Sequence, residues 1–91
     1  MFRLKSTIQN QEIQEAKQKI AAGLANVRDT VTLAHKFVGV LGSCGIENVD
    51  AYLTGFKELY GTHSFYQGVK NSILHEVESI GLNPYLVQEY L

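Results

Sequence analysis

The side chains of this sequence that are best suited to metal binding or catalysis are those of three histidines and one cysteine, His35, His63, His75 and Cys44. No histidine stands three or four residues from another histidine or from the cysteine, so one turn of helix cannot bring two of them together. Glu78 falls on the same predicted helix face as His75, but a transition-metal site needs three or four converging ligands. The spacing therefore predicts no metal site.

Cys44 also lies in a glycine-rich segment, residues 39–45. A cysteine nucleophile needs a histidine within hydrogen-bonding reach and a third group that orients the histidine, and the sequence gives no sign of that third group. The segment follows a predicted helix and lacks the lysine of a P-loop, so it does not match a phosphate-binding loop. A carboxylate pair such as Glu76 and Glu78 points to different sides of its helix. We therefore predict a non-enzymatic protein without a cofactor.

Composition and charge narrow the remaining function classes. The chain has 91 residues, 45% of them hydrophobic and 19% charged, which is typical of one small globular domain. Its formal net charge of −1 argues against a dedicated nucleic-acid-binding protein. The longest near-apolar stretch, residues 37–46, is too short to span a membrane, and residues 1–11 do not resemble a signal peptide. With its single cysteine, the chain is predicted to be cytoplasmic and to have no membrane partner.

The pattern of apolar residues predicts an all-α fold that begins with one long helix. Residues 11–41 contain no proline and no cluster of loop-forming residues. Apolar residues recur there at alternating spacings of four and three, which is typical of a helix that packs lengthwise on another helix. A helix over 11–41 would be about 45 Å long, longer than a small domain needs. The pattern consists of Ile20, Leu24, Val27, Val31, Ala34, Val38 and Leu41, with Ile13 one heptad earlier.

Asparagine and glycine residues mark the ends of three further helices. Asparagine is a preferred N-cap residue, glycine commonly follows the last helical turn, and proline is favoured at the first helical position. Together with the long helix they predict a small helical bundle, with a single domain over 11–91. The three helices are predicted over 49–60, between Asn48 and Gly61; over 63–80, before Gly81; and over 84–91, where Asn83 and Pro84 mark the start.

The first ten residues do not follow the helical pattern. Phe2, Leu4 and Ile8 are separated by polar residues, which predicts an extended arm or a short strand over 1–10. A lone strand needs a partner to be stable. A second copy of the chain is one source of that partner.

The first half of the long helix predicts self-association. A domain of this length buries only about 60 to 65% of its unfolded surface, so a narrow apolar stripe on a long helix needs another chain to cover it. Six of the eight basic residues lie in residues 1–36 and six of the nine acidic residues follow them, which favours packing between the two halves, within one chain or between chains. We predict a homo-oligomer, with a dimer expected, whose interface residues are Ile13, Ile20, Leu24, Val27 and Val31.

The leading functional prediction is a non-enzymatic interaction protein, namely an adaptor, chaperone or inhibitor of a macromolecular partner. The alternative is a helical oligomer that binds a small anionic ligand at its subunit junctions, where tyrosines would meet Arg3, Lys5 and Arg28. The third is a DNA-binding helix-turn-helix formed by the second and third predicted helices. Lys57 stands where that motif has a small residue, and the candidate recognition helix has little positive charge.

Overall fold

The computed structural model describes residues 9–91, and this part of the chain consists of helices and the turns between them. The all-α prediction is confirmed for these residues. The arm or strand predicted over 1–10 lies outside the described residues except for Gln9, which is extended, and Asn10, which begins the first helix. The helices are α1 (Asn10–Gly23), α2 (Thr30–Ser43), α3 (Val49–Tyr60), α4 (Tyr66–Glu76) and α5 (Pro84–Tyr90), with 3₁₀ turns at Ile46–Asn48 and Val77–Ile80.

The prediction of one long helix over 11–41 is wrong, because the chain leaves the helix after α1 and starts a new one at α2. Asp29 is the N-cap of α2, and its carboxylate accepts hydrogen bonds from the Thr32 backbone N–H at 2.8 Å and the Thr32 hydroxyl at 2.9 Å. Asn26 has a φ of 68°, a left-handed conformation that asparagine tolerates better than most residues. A left-handed turn residue and a strong N-cap thus outweigh the heptad pattern.

The three later helices are present, with changes at their ends. The helix predicted over 49–60 is confirmed as α3. The helix predicted over 63–80 begins three residues later, as α4, and its last turn is a 3₁₀ turn. Gly81, with a φ of 83°, ends it. The helix predicted over 84–91 is present as α5, at whose start the Asn83 side chain accepts a backbone hydrogen bond of 2.9 Å.

Helices that are not adjacent in the sequence form the main packing pairs. α1 lies on α3 and α2 lies on α4, while α5 contacts both α3 and α4. Gly55 lets α1 approach α3 closely, because a Cβ at Gly55 would lie 3.1 Å from the Cγ of Lys17. Phe37 of α2 and Phe56 of α3 are both fully buried where the two pairs meet. The described residues therefore share one hydrophobic core.

Three side-chain contacts between distant parts of the sequence reinforce these pairs. The Lys17 ammonium lies 3.2 Å from the Glu58 carboxylate and connects α1 to α3. A ring nitrogen of His35 lies 2.8 Å from the carboxylate of Glu76 and connects α2 to α4. The buried Tyr66 hydroxyl donates to the backbone carbonyl that follows α5, at 3.0 Å. The pairing of α1 with α3 is the one that positions the cleft described below.

Candidate functional site

The five residues predicted as an oligomer interface do not form one exposed stripe. Ile20 and Leu24 are buried in the chain's own core, because the break after α1 allows α1 to pack on α3. Ile13 and Val27 are partly buried. Val31 is 63% exposed. In the folded chain, Ile20 and Leu24 are therefore not available to a second copy, whereas Val31 is.

Three large apolar side chains are exposed in residues 9–91. They are Val31, in the first turn of α2, Ile46, which is 49% exposed at a 3₁₀ turn, and Tyr85, which is 80% exposed in the first turn of α5. Arg28 is also exposed and stands three residues before Val31. The start of α2 therefore presents an apolar and a basic side chain close together in the sequence.

A groove of about 450 Å³ lies between α4 and α5. Leu74 and Tyr85 provide apolar surface on its two sides, and Glu78 is the one carboxylate in its lining. An apolar groove with a carboxylate in its lining is complementary to an apolar side chain with a cation beside it. We call it the α4–α5 groove, and its lining residues are Asn71, Leu74, His75, Glu78, Pro84, Tyr85 and Gln88.

A second depression, of about 420 Å³, lies where α1 faces the end of α2 and the start of α3. All of the formally charged side chains that line this depression come from α1. They are Glu12, Glu15 and Lys19. The opposite side includes Tyr52 of α3, of which only 9% is exposed. We call it the polar cleft, and its lining residues are Glu12, Glu15, Ala16, Lys19, Val40, Ser43, Cys44, Asn48, Ala51 and Tyr52.

Tyr52 is the buried polar side chain of this cleft. Its hydroxyl makes no hydrogen bond within the part of the chain that the structure describes, and it is open to solvent, since no buried side-chain nitrogen or oxygen there lacks a partner. Burial raises the pKa of Tyr52, and the negative charges that Cys44 and Glu15 can carry nearby raise it further. The hydroxyl therefore stays protonated at neutral pH and is able to donate a hydrogen bond to a molecule in the cleft.

The Cys44 side chain lines the same cleft but is not an activated nucleophile. Burial raises the pKa of its thiol to about 11, so the thiol stays protonated at neutral pH. The thiol donates to the carbonyl of Leu41 at 3.2 Å. None of the three histidines lines the polar cleft. Because the thiolate is the reactive form of cysteine, this geometry favours a packing role for Cys44.

The three histidines lie on separate surfaces. His35 contacts Glu76 as described above, and His75 lines the α4–α5 groove. The ring of His63 stacks on Phe65 with centroids 5.1 Å apart. Among residues 9–91, no group of three or more histidine, cysteine, aspartate or glutamate side chains is placed to hold a metal ion.

The two lesser functional predictions both depend on basic residues. Arg3 and Lys5, which were expected at an anion site, lie outside the described residues, and Arg28 does not line the polar cleft. The candidate recognition helix, α4, packs against α2 and α5 and contains a single lysine, Lys70, and no arginine. The described surface therefore offers no concentration of positive charge on α4.

The polar cleft was not predicted from the sequence. Tyr52 stands three residues after Val49 and four before Phe56, which puts the three on one helix face, and all three are buried. Glu15 and Lys19 stand four residues apart, and this spacing places them on one helix face. That signal identifies a charged face on α1, but it does not reveal that Tyr52 lies opposite.

Comparison of the chain with protein-family models, with curated proteins and with solved structures found no match. No helix within residues 9–91 is long and apolar enough to cross a membrane. The α4–α5 groove and the polar cleft are therefore the features from which a function can be inferred.

Proposed function

We propose that this protein is a non-enzymatic helical interaction protein that acts as a homo-oligomer, in its simplest form a dimer. In this dimer the start of α2 of one copy occupies the α4–α5 groove of the other. The observation that carries the proposal is the exposure of Val31 and Tyr85, at 63% and 80%, beside side chains of opposite charge. The exposed stripe predicted from the sequence is thus replaced by a smaller contact that retains only Val31.

The apolar part of the contact supplies the driving force. Removing apolar surface from water stabilises a complex by about 25 cal/mol per Å² of area buried. Val31 is short and β-branched, so it loses little side-chain entropy when it is buried. Tyr85 offers a wide ring with a polar end, a type of side chain that is enriched in protein interfaces. Leu74 provides apolar surface on the opposite side of the groove.

The charged part of the contact supplies the orientation. Arg28 is exposed near Val31, and Glu78 lies in the lining of the groove. When Val31 enters the groove, Arg28 can approach Glu78, and complementary charges of this kind determine the register of a contact more than its strength. The larger asymmetry of the chain, with a basic first part and an acidic remainder, acts in the same direction.

Closed two-fold dimers are the commonest homo-oligomers, and in such a dimer each copy contributes both halves of the contact. We propose that this dimer presents its remaining surface as an adaptor, chaperone or inhibitor of a macromolecular partner. A cytoplasmic location stays a prediction from the single cysteine and the composition. Binding of an anion at the subunit junction also stays a prediction, because that junction depends on Arg3 and Lys5.

Sedimentation velocity on the full chain tests the contact with variants at each of the three exposed apolar positions. Val31→Asp and Tyr85→Ala should each yield a folded monomer. Ile46→Asp is the matched control, since Ile46 lines neither side of the proposed contact, and it should keep the parent mass. Asp near a helix N-terminus is favoured by the helix dipole, so Val31→Asp should leave α2 intact.

A mixing experiment then identifies the two halves of the contact. Val31→Asp retains an intact groove and Tyr85→Ala retains an intact α2 start, so an equimolar mixture should form a heterodimer held by one of the two contacts. Formation of that heterodimer supports the proposal. A parent protein that is monomeric at all concentrations, or a dimer that survives both substitutions, overturns it.

A further inference from the structure

The apolar pattern of residues 11–41 and the turn between α1 and α2 favour different structures. The pattern continues through α1, the turn and α2 as it would along one helix, whereas the described chain leaves the helix after α1. We propose that this turn is a hinge at which two copies of the chain exchange α1. In the exchanged dimer, residues 11–41 form one continuous helix, and α1 of each copy packs on α3 of the other. The described protein is the closed form, in which α1 packs on its own α3.

The hinge is the segment 24–29, and two local features hold it in the turn. Among the non-glycine residues in 9–91, Asn26 alone has a positive φ, and this left-handed conformation costs more free energy than a helical one. The Asp29 carboxylate offsets this cost by accepting the Thr32 backbone N–H at 2.8 Å. The segment contains neither proline nor glycine, so each of its residues is able to enter a continuous helix.

A continuous helix over 11–41 extends beyond one copy of the protein. It would be about 45 Å long, and the longest dimension of the described protein is 31 Å. α1 would therefore leave its own α3 and expose Ala16 and Ile20, which are buried in the closed form. The face of α3 around Gly55 would lose its cover as well. α1 of a second copy carries the same residues and covers that face again.

The contacts between α1 and α3 are the same whether the two helices belong to one chain or to two. The Lys17 ammonium lies 3.2 Å from the Glu58 carboxylate, and a Cβ at Gly55 would lie 3.1 Å from the Cγ of Lys17. Since both forms contain these contacts, the balance between them depends on the hinge and on the protein concentration. The short connection keeps α1 at a high local concentration near its own α3, which favours the closed form in dilute solution.

Exchange of α1 differs in rate from the proposed contact at the α4–α5 groove. Two copies that have exchanged α1 separate only when α1 is released from α3, and this release requires local unfolding. The groove contact is made by exposed side chains such as Tyr85, so it forms and breaks without that step. The chain therefore has a second, slower mode of self-association, whose product persists after dilution.

Two substitutions of Asn26 move the hinge in opposite directions. Alanine favours the helix and disfavours a positive φ, and glycine does the reverse. Both are combined with Tyr85→Ala, which removes the dimer contact proposed above, and each full chain is unfolded and refolded at high concentration. Gel filtration should show that Asn26→Ala associates about a hundredfold more tightly than Asn26→Gly, because both hinges of the dimer change. The isolated Asn26→Ala dimer should persist when it is diluted.

A charge exchange identifies the α3 that each α1 contacts. Lys17→Glu and Glu58→Lys each place like charges at the contact in the closed form, and an exchanged heterodimer of the two restores opposite charges at both of its contacts. Both chains also carry Tyr85→Ala and Asp29→Ala, which opens the hinge independently of Asn26. Ion-exchange chromatography of the refolded mixture at low salt should show the heterodimer about tenfold above its statistical proportion.

The matched control is a mixture of Lys36→Glu with Glu89→Lys in the same background. Both positions are exposed and lie outside α1 and α3, so the net charges change equally while the contact between these helices does not. This mixture should give the heterodimer in its statistical proportion.

A persistent Asn26→Ala dimer, together with an excess of heterodimer from the first mixture alone, supports the exchange of α1. Equal association of Asn26→Ala and Asn26→Gly, or the same proportion of heterodimer from both mixtures, overturns it. The proposed groove contact instead fails if Tyr85→Ala alone remains a dimer, so the two proposals are tested separately.

Discussion

The rings of Phe37 and Phe56 stack with their centroids 4.0 Å apart and their planes inclined by 20°. Phe37 belongs to α2 and Phe56 to α3, so this contact joins the pair formed by α2 and α4 to the pair formed by α1 and α3. Both rings are fully buried.

Because the two rings are buried and in contact, substitution of both should destabilise the protein by less than the sum of the single losses. Phe37→Leu and Phe56→Leu should each lower the free energy of unfolding by about 1 to 3 kcal/mol. The double variant should lose less than the sum of the two, by about 0.5 to 1.5 kcal/mol, because the ring contact can be removed only once. Urea denaturation of the four proteins measures the cycle. Additive losses would show that the stacking itself contributes nothing beyond burial.

Asp29 should make the stability of α2 depend on pH. The backbone N–H and then the hydroxyl of Thr32 hold the pKa of Asp29 below its ordinary value of 3.8. Because the pKa is lowered in the folded state, the stabilisation is present above 3.8 and is lost as the pH falls through the folded-state pKa. Asp29→Asn keeps the cap without titrating, so its stability should change less between neutral and acidic pH.

Chemical denaturation of the parent, Asp29→Asn and Asp29→Ala at several pH values tests this cap. Asp29→Ala should be the least stable of the three at neutral pH, since it leaves a backbone donor of α2 without its partner. Equal stability of Asp29→Ala and the parent at neutral pH would mean that the cap does not hold the break between α1 and α2.

Two glycines should respond in opposite directions to alanine. A Cβ at Gly61 would lie 2.5 Å from the carbonyl oxygen of Lys57, so the end of α3 must shift, at a cost of about 1 to 3 kcal/mol. Gly68 lies inside α4, and beyond its own helix backbone and chain neighbours no atom lies within 4 Å of an added Cβ, so Gly68→Ala should stabilise the protein by about 0.5 to 1 kcal/mol. Thermal unfolding of both variants measures the two effects. Stabilisation by Gly61→Ala would contradict the close approach.

Tyr66 should contribute a loss of stability at high pH. Burial raises the pKa of Tyr66 from 10.0 to about 12. Because the pKa is raised in the folded state, the contribution of the protonated Tyr66 to the free energy of unfolding is complete below pH 10.0. It is lost as the pH rises through the folded-state pKa. Tyr66→Phe should lack this loss, and at neutral pH it should be about 1 kcal/mol less stable, because the carbonyl of Leu91 loses its donor. Identical alkaline unfolding profiles for parent and variant would rule out this contribution.

A charge exchange tests the orientation of the proposed dimer. Arg28→Glu and Glu78→Arg should each weaken self-association, and the double variant should restore most of it. The effect should diminish at high salt, since exposed charges are screened. Sedimentation velocity of the three variants supplies the measurement, with Lys36→Glu as a control for net charge alone. If the double variant does not regain self-association, Arg28 and Glu78 do not contact each other in the dimer.

The parts of the fold that could be predicted are those with local signals. α5 begins where Asn83 and Pro84 predict, and the Asn83 side chain accepts a hydrogen bond from its first turn. α3 also has the predicted bounds, although the Asn48 side chain makes no hydrogen bond to its first turn. The break between α1 and α2 also has local signals, at Asn26 and Asp29, but a single cap does not reveal that it will prevail over a regular apolar pattern. Ile20 and Leu24 are buried as that pattern requires, against the chain's own helices.

The candidate sites could not be predicted, because they are made by residues far apart in the sequence. Tyr52 and Glu15 meet only because α1 packs on α3, a pairing that the apolar pattern does not specify. The exposure of Tyr85 depends on which face α5 turns toward α3 and α4, and a helix of seven residues carries too short a pattern to decide this. The residue types thus indicate which side chains could belong to a functional site, whereas tertiary packing determines which side chains lie beside them.

The alternating order of the helix pairs, α1 with α3 and α2 with α4, has a consequence for the way the chain reaches its fold. During synthesis on a ribosome, α1 and α2 emerge before either of their main partners exists. Helices of 14 residues are marginal on their own in water, so this half stays largely unfolded until α3 and α4 follow. Folding then requires contacts between distant segments, which slows it relative to a bundle of consecutive helices. The nascent chain is therefore expected to expose Leu24, Phe37 and Leu41 for longer than a bundle of consecutive helices would. We expect a chaperone that acts on this chain during synthesis to bind its first half.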